Sequence, residues 1–375
     1  MHQVFRVLCW SFGALAAGVW PSHDEGGRAF GPTYHPGRAA RAGQLLAAGA
    51  RGAWAELRGD WLFLRSVLHL QRHYGRPEVC HLCDAHKTDP ERLYTSFRRD
   101  AATRASLVSH AAWVAAAVGA ALVSPLLLLP GFSIRRVFFD CMHCLDLGIL
   151  QHAVPSALRQ LVAARVFPGA TTDARLAEAT RDYRVWCRAT GVTSVAKRLT
   201  AAWIAGPFPS VGQLHAKGAA MRHMVQWMRE VCLRAPALNA PHGALRAGLF
   251  DALARADGIM RAEPRHMSLA ATARLASLFE EALCAYNALA AAAVADGEAL
   301  YRVIPKLHAC THVAYDNAGV NPRAVHCYPD EDMVGKSKRI YQACHGRTAP
   351  HTALLRYALL ACMRWQSTLA ELRGV

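Results

Sequence analysis

The chain has 375 residues, of which 53% are hydrophobic and 19% charged; that is enough apolar material for a buried core of one large domain or two ordinary ones, and too apolar a balance for a disordered tail. Lys and Arg outnumber Asp and Glu 43 to 27, a formal net charge of +16 with a pI near 9.7, which suits a solvated polyanion as partner or reflects an Arg-rich compositional bias. Twelve Cys in so long a chain, some inside apolar helical stretches (Cys232, Cys284, Cys362), argue against a disulfide-stapled secreted framework and for a reducing intracellular compartment.

In chain order, residues 4–18 read as a strand or strand pair from their aromatic and β-branched content, and no small-x-small cleavage site follows to make them a signal peptide. Residues 21–43 are a turn-rich loop, 57–72 a strand end passing into a helix, 80–90 a polar knuckle, and 92–109 a helix. Residues 111–130 carry no charge and have the length of a membrane span, but Ser124-Pro125 and Pro130-Gly131 break them; a buried helix followed by a loop is the expectation. A short strand over 134–139 and a helix over 145–162, kinked or restarted at Pro155, come next. From about 171 to 297 helical periodicity dominates: Leu275, Leu278, Phe279, Leu283, Tyr286 and Leu289 make one core stripe, and Met221, Met224, Trp227 and Met228 another. Mixed character returns after residue 301, with a turn at 317–322 and a final helix over 350–372.

Three constellations carry chemistry. Asp60 ends an apolar segment after Gly59, where a carboxylate suits Mg²⁺ or, equally, caps the next helix. Cys80-His81-Leu82-Cys83 has zinc-knuckle spacing, and Cys141 with Cys144 repeats it around His143; together they would close a four-thiolate Zn²⁺ site, unless Cys141 and Cys144 are buried apolar groups that leave Asp140 and His143 as the polar pair. Asp330-Glu331-Asp332 abuts the cations Lys336, Lys338, Arg339 and Arg347, a juxtaposition suited to metal-held phosphates beside a cationic DNA-binding groove.

These residues together resemble the transposases of the CACTA (En/Spm-like) class. The shared order is Gly59-Asp60, the Cys80/Cys83 pair, Asp140-Cys141-Met142-His143, Pro305-Lys306-Leu307-His308, and Glu331 ahead of the basic run, over about residues 10 to 345. The resemblance implies an α/β (α+β), helix-rich fold: an RNase H-like core over 1–165 and 301–375, interrupted by a helical insertion over 166–300. It implies Mg²⁺- or Mn²⁺-dependent cleavage and strand transfer on DNA in the nucleus, with Asp60 and Glu331 as metal ligands and Asp140 and His143 in support, and self-association stays open. The family's first catalytic Asp maps onto Ala17, with Asp24 as the nearest substitute, so the expectation is a protein that binds DNA without cutting it. The rival expectations are a non-catalytic, zinc-stabilised nucleic-acid-binding protein and a membrane protein anchored through residues 111–130.

Overall fold

The computed structural model describes residues 2–120, 122–193, 198–204 and 217–373. Two compact units make up the chain, Met1–Val325 and His326–Val375. Both are mostly helical, and the first holds a small parallel sheet.

Helix α1, His2–Ala17, stands where a strand was expected. Its buried Cys9, and Phe5 and Phe12 packed on the core, recur at helical rather than strand spacing, so tertiary packing overrides the β-branched composition. Strand β1, Leu57–Gly59, runs directly into α2, Trp61–Leu68, as the sequence suggests. Residues 92–109 form only one helical turn, Ala102–Ala105, because their backbone groups bond across to the preceding loop: His86 N–H donates to Arg92 O and Tyr94 N–H to His86 O.

The uncharged stretch yields α3, His110–Val118, nine residues and too short to cross a bilayer. Trp113 is its buried residue, so the helix is more exposed than the sequence reading held. Strand β2, Val137–Phe139, is buried throughout and pairs in parallel with β1, Leu57 opposite Val137 and Gly59 opposite Phe139. A π-helical segment, Met142–Ile149, passes without a break into α4, Leu150–Ala163, which keeps Pro155 inside it.

The helical middle of the chain packs within the same unit as the sheet. It comprises α5 (Thr172–Ala189), α6 (Gly218–Cys232), α7 (Gly243–Ala262) and α8 (Leu269–Ala295). Met221, Met224, Trp227 and Met228 are fully buried, as are Leu275, Phe279, Tyr286 and Leu289. Among the described residues α8 alone is long and apolar enough to span a membrane, and it packs extensively along α7. Helix α9, Pro305–Tyr315, returns to the sheet and packs on β2.

A buried ion network ties these layers. Arg323 spans Asp146 on the π-helical segment (2.8 Å) and Asp257 on α7 (2.9 Å). The second unit is a helical hairpin of α10, Tyr328–Gln342, and α11, Ala349–Arg373. The described sheet therefore has two short strands, and the chain is a helix-rich α+β protein.

Candidate metal centre and adjoining cleft

Cys80 and Cys83 sit on a tight loop closed by an antiparallel bridge between Glu78 and His86, with Val79 N–H donating to Ala85 O at 2.9 Å. Leu82 N–H donates to Cys80 Sγ at 3.3 Å, so the loop already stabilises a partial negative charge on that sulfur. Helix α9 brings the other half. Pro305 opens it without needing a hydrogen bond for its nitrogen, and His308 and His312, one turn apart, face the same way.

The four side chains converge over more than two hundred residues of intervening sequence. Cys83 Sγ lies 3.1 Å from His308 Nε2 and 3.5 Å from His312 Nε2; Cys80 Sγ lies 3.2 Å from His312 Nε2; the two Nε2 atoms are 3.1 Å apart. All four donor atoms fall within 4.8 Å of one another, and all four residues are buried. Bonds of about 2.3 Å to sulfur and about 2.0 Å to nitrogen in a tetrahedron put S and N about 3.5 Å apart and two N about 3.3 Å apart. The cluster fits that figure and could hold a metal ion.

Electrostatics point the same way. Burial pushes the Cys80 thiol well up, with Cys83 adding to it. The hydrogen bond with Cys80 draws Cys83 far below the usual thiol range, and His308 and His312 reinforce this against burial. A divalent ion would stabilise both thiolates and, with two neutral imidazoles, leave a neutral centre, the form that tolerates burial.

Burial lowers His308, whose Nδ1 has no hydrogen-bond partner among the described residues. His312 is differently supported. Burial opposes its protonation, but Asp316, 2.6 Å from Nδ1, and Cys83 more than offset this. Asp316 in turn takes a bidentate pair from Arg104 at 2.7 and 3.0 Å, a carboxylate–imidazole–metal arrangement that fixes the tautomer presenting Nε2. His312 also stacks on Phe139 of β2, ring centroids 5.7 Å apart.

Of the two expectations for Cys141 and Cys144, partners of Cys80 and Cys83 in a four-thiolate site or buried apolar groups, the structure bears out the second. It completes the Cys80–Cys83 pair with His308 and His312 instead. Cys141 and Cys144 are fully buried, and burial raises both thiols, that of Cys144 to about 12, so they are neutral apolar filling. The signal that would have found the imidazoles is the His-x-x-x-His spacing directly after a proline helix start.

A cleft of about 280 Å³ opens at the carboxyl ends of the two strands, lined by Asp60, Asp140, His143 and Lys306 among others. Asp60 follows Gly59 and Asp140 follows Phe139, its register partner, so the two acids leave the sheet side by side. Asp60 caps α2, its carboxylate accepting from Phe63 N–H at 2.5 Å; the capping role and the position at a strand end turn out to be one feature. Asp140 accepts from Met142 and His143 N–H at 3.2 and 3.0 Å and lies 2.5 Å from His143 Nδ1. Lys306 donates to Leu147 O at 3.2 Å, and Gly148 makes room for it: a Cβ there would meet Lys306 Cδ at 2.8 Å and His143 O at 2.9 Å.

Other expected residues lie elsewhere. Ala17 is the exposed last residue of α1, not a strand position, so no carboxylate is missing from a strand there. Asp24 is consumed by its own turn, accepting from Gly26 and Arg28 N–H and from the Tyr34 hydroxyl at 2.6 Å. Asp330 and Glu331 occupy the first turn of α10 in the second unit, where acids complement the helix dipole. Lys336 pairs with Asp332 on that helix, and Lys338, Arg339 and Arg347 are exposed.

Neither the family models, nor the curated proteins, nor the solved structures with which the chain was compared match it.

Proposed function

We propose that this chain is a transposase-like DNA-processing protein, held together by zinc at the Cys80–Cys83–His308–His312 centre, with a phosphate-handling cleft built on Asp60 and Asp140. The observation that carries the reading is the β1–β2 register, which sets two acids side by side at the carboxyl end of a parallel strand pair, with Lys306 lining the same cleft. In the resemblance Glu331 is the third acid, and the RNase H-like architecture and a nuclear location belong to the same proposal.

In this reading Asp60 and Asp140 would hold Mg²⁺ or Mn²⁺, which neutralises phosphate charge and activates a water or 3′-hydroxyl when bound. Asp140 also fixes the His143 imidazole through Nδ1, orienting the ring beside the cleft. Lys306 brings a positive charge to the cleft wall. Zinc suits the buried two-sulfur, two-nitrogen donor set, and the absence of an open position makes its role structural.

A second reading has one observation in its favour: Asp60 serves as a helix cap and Asp140 as an imidazole partner, both sufficient structural reasons for their presence. That protein would keep zinc and DNA binding without cleavage. Mg²⁺- or Mn²⁺-dependent nicking of a plasmid by the zinc-loaded chain separates the two. The first reading expects nicking that Asp60→Asn and Asp140→Asn each abolish; no nicking by the unmodified chain, with DNA binding intact, would leave the second.

A further inference from the structure

The segment between α1 and β1 has little buried apolar surface, Phe30 being its buried large side chain, yet it is tightly organised. Trp20 N–H donates to Gln44 O and Gly43 N–H to Trp20 O, both at 2.9 Å, Leu46 N–H donates to Gly18 O at 2.8 Å, and Val19 bridges Leu45. The Asp24 turn holds Tyr34, and Trp10 of α1 donates its indole N–H to His23 O at 2.9 Å.

What this framework displays is a set of guanidiniums close to aromatic rings. Arg28 lies 3.7 Å over the Tyr34 ring, Arg38 5.5 Å from Phe30 and 5.8 Å from Trp10, and Arg41 5.2 Å from Trp20. Residues 28–41 thus contain three arginines within cation–π reach of an aromatic ring. All three are exposed. Among the described residues none of them forms a salt bridge, unlike Arg104, Arg234 or Arg323, whose charges are committed to carboxylates. Of the two carboxylates in this segment, Asp24 is occupied by its turn and reaches Arg28 only at longer range, and Glu25, near Tyr34, forms no salt bridge with any of the three among the described residues.

An arginine held against a ring keeps its N–H donors free, and less side-chain entropy is lost when a phosphate oxygen binds. We propose that residues 18–46 form a separate DNA-contact lobe, in which Arg28, Arg38 and Arg41 grip the phosphate backbone without reading sequence. The identity of the polyanion rests on the DNA-processing reading above; the lobe itself rests on its own geometry. It is distinct from the strand-end cleft and from the α10 cations that the sequence alone points to.

The test uses the full zinc-loaded chain and a short fluorescent duplex of arbitrary sequence, titrated between about 50 and 200 mM salt. Replacing all three arginines with Gln should weaken binding by at least about tenfold and make the log–log salt slope shallower by about 2.7, or about 0.9 for each lost phosphate contact. Unchanged zinc content and circular dichroism establish that the variant is folded; should it not fold, Arg41→Gln alone should still flatten the slope by about 0.9.

Wild-type affinity and slope in a folded variant would overturn the lobe, even if the cleft nicks DNA normally. Arginine-dependent binding by a chain that never nicks would uphold the lobe and sink only the cleavage reading. Failure of the unmodified chain to bind duplex DNA, or arginine-dependent binding to phosphatidylserine vesicles in its place, would overturn the proposal.

Discussion

Replacing His308 with Ala removes one of four groups that join the Cys80–Cys83 loop to α9, 225 residues away. His308 is the informative choice because its Nδ1 has no hydrogen-bond partner among the described residues, whereas loss of His312 would deprive Asp316 of its imidazole. An ion held at about a thousand times its dissociation constant stabilises the folded state by about 4 kcal/mol. Unfolding entropy of about 2.1 cal/mol/K per residue over the 325-residue first unit comes to about 0.7 kcal/mol/K, so losing that binding should lower Tm by about 6 °C. Inductively coupled plasma mass spectrometry should find one zinc per unmodified chain and a small fraction of that in His308→Ala. Scanning calorimetry should show the Tm drop in the variant, and the same drop on chelation of the unmodified protein. Cys144→Ala should keep its zinc. Full zinc in His308→Ala with loss in Cys144→Ala would restore the four-thiolate site and refute the assignment.

Asp316→Asn should lower zinc affinity by about 10- to 100-fold, read by competition with a chromogenic chelator, because the imidazole of His312 loses its anionic partner. Asp60→Asn should leave the unfolding free energy within a few tenths of a kcal/mol of wild type, since Asn caps a helix as well as Asp, whereas Asp60→Ala should cost about 1 kcal/mol; if both destabilise alike, Asp60 does more than cap. Arg323→Met should cost about 3–5 kcal/mol in urea titration by removing the buried cation that bridges Asp146 to Asp257, although Asp257 keeps Arg261 at 3.2 Å and Arg222 at 3.7 Å, and a change below about 1 kcal/mol would show that bridge to be dispensable.

The sequence made some of this legible and hid the rest for identifiable reasons. The stripes Met221–Met228 and Leu275–Leu289 have one strong period, and they are core. The transition from β1 into α2 was readable because Gly59-Asp60 carries both a strand end and a cap. Residues 4–18 misled because Val, Phe and Trp favour strands in isolation, while the helix is set by where Phe5, Cys9 and Phe12 must pack. The Cys80–Cys83 loop was legible as half a metal centre from its local spacing. Its other half could not be paired to it by spacing, because convergence across 225 residues is a property of the fold, and Cys141 with Cys144 offered a nearer and chemically equivalent match. Asp60 and Asp140 were each visible, but their adjacency depends on the parallel register of two three-residue strands, too short to announce a pairing partner.

The centre and the cleft are two faces of one piece of architecture. Helix α9 enters at Pro305 and Lys306, which line the cleft, and one turn later supplies His308 and then His312 to the metal donors. Phe139, the last residue of β2, stacks on His312 and also lines the cleft, and the next residue is Asp140. A rigid tetrahedral centre at this point would fix the distance between α9 and β2, and with it the placement of Lys306 relative to Asp140. Such short strands cannot do this alone, since three residues in each of two strands give few ladder bonds and no sheet of independent stability. That gives a physical reason for a metal centre in an otherwise core-rich chain: a bound ion would supply locally the rigidity that a wider sheet would provide.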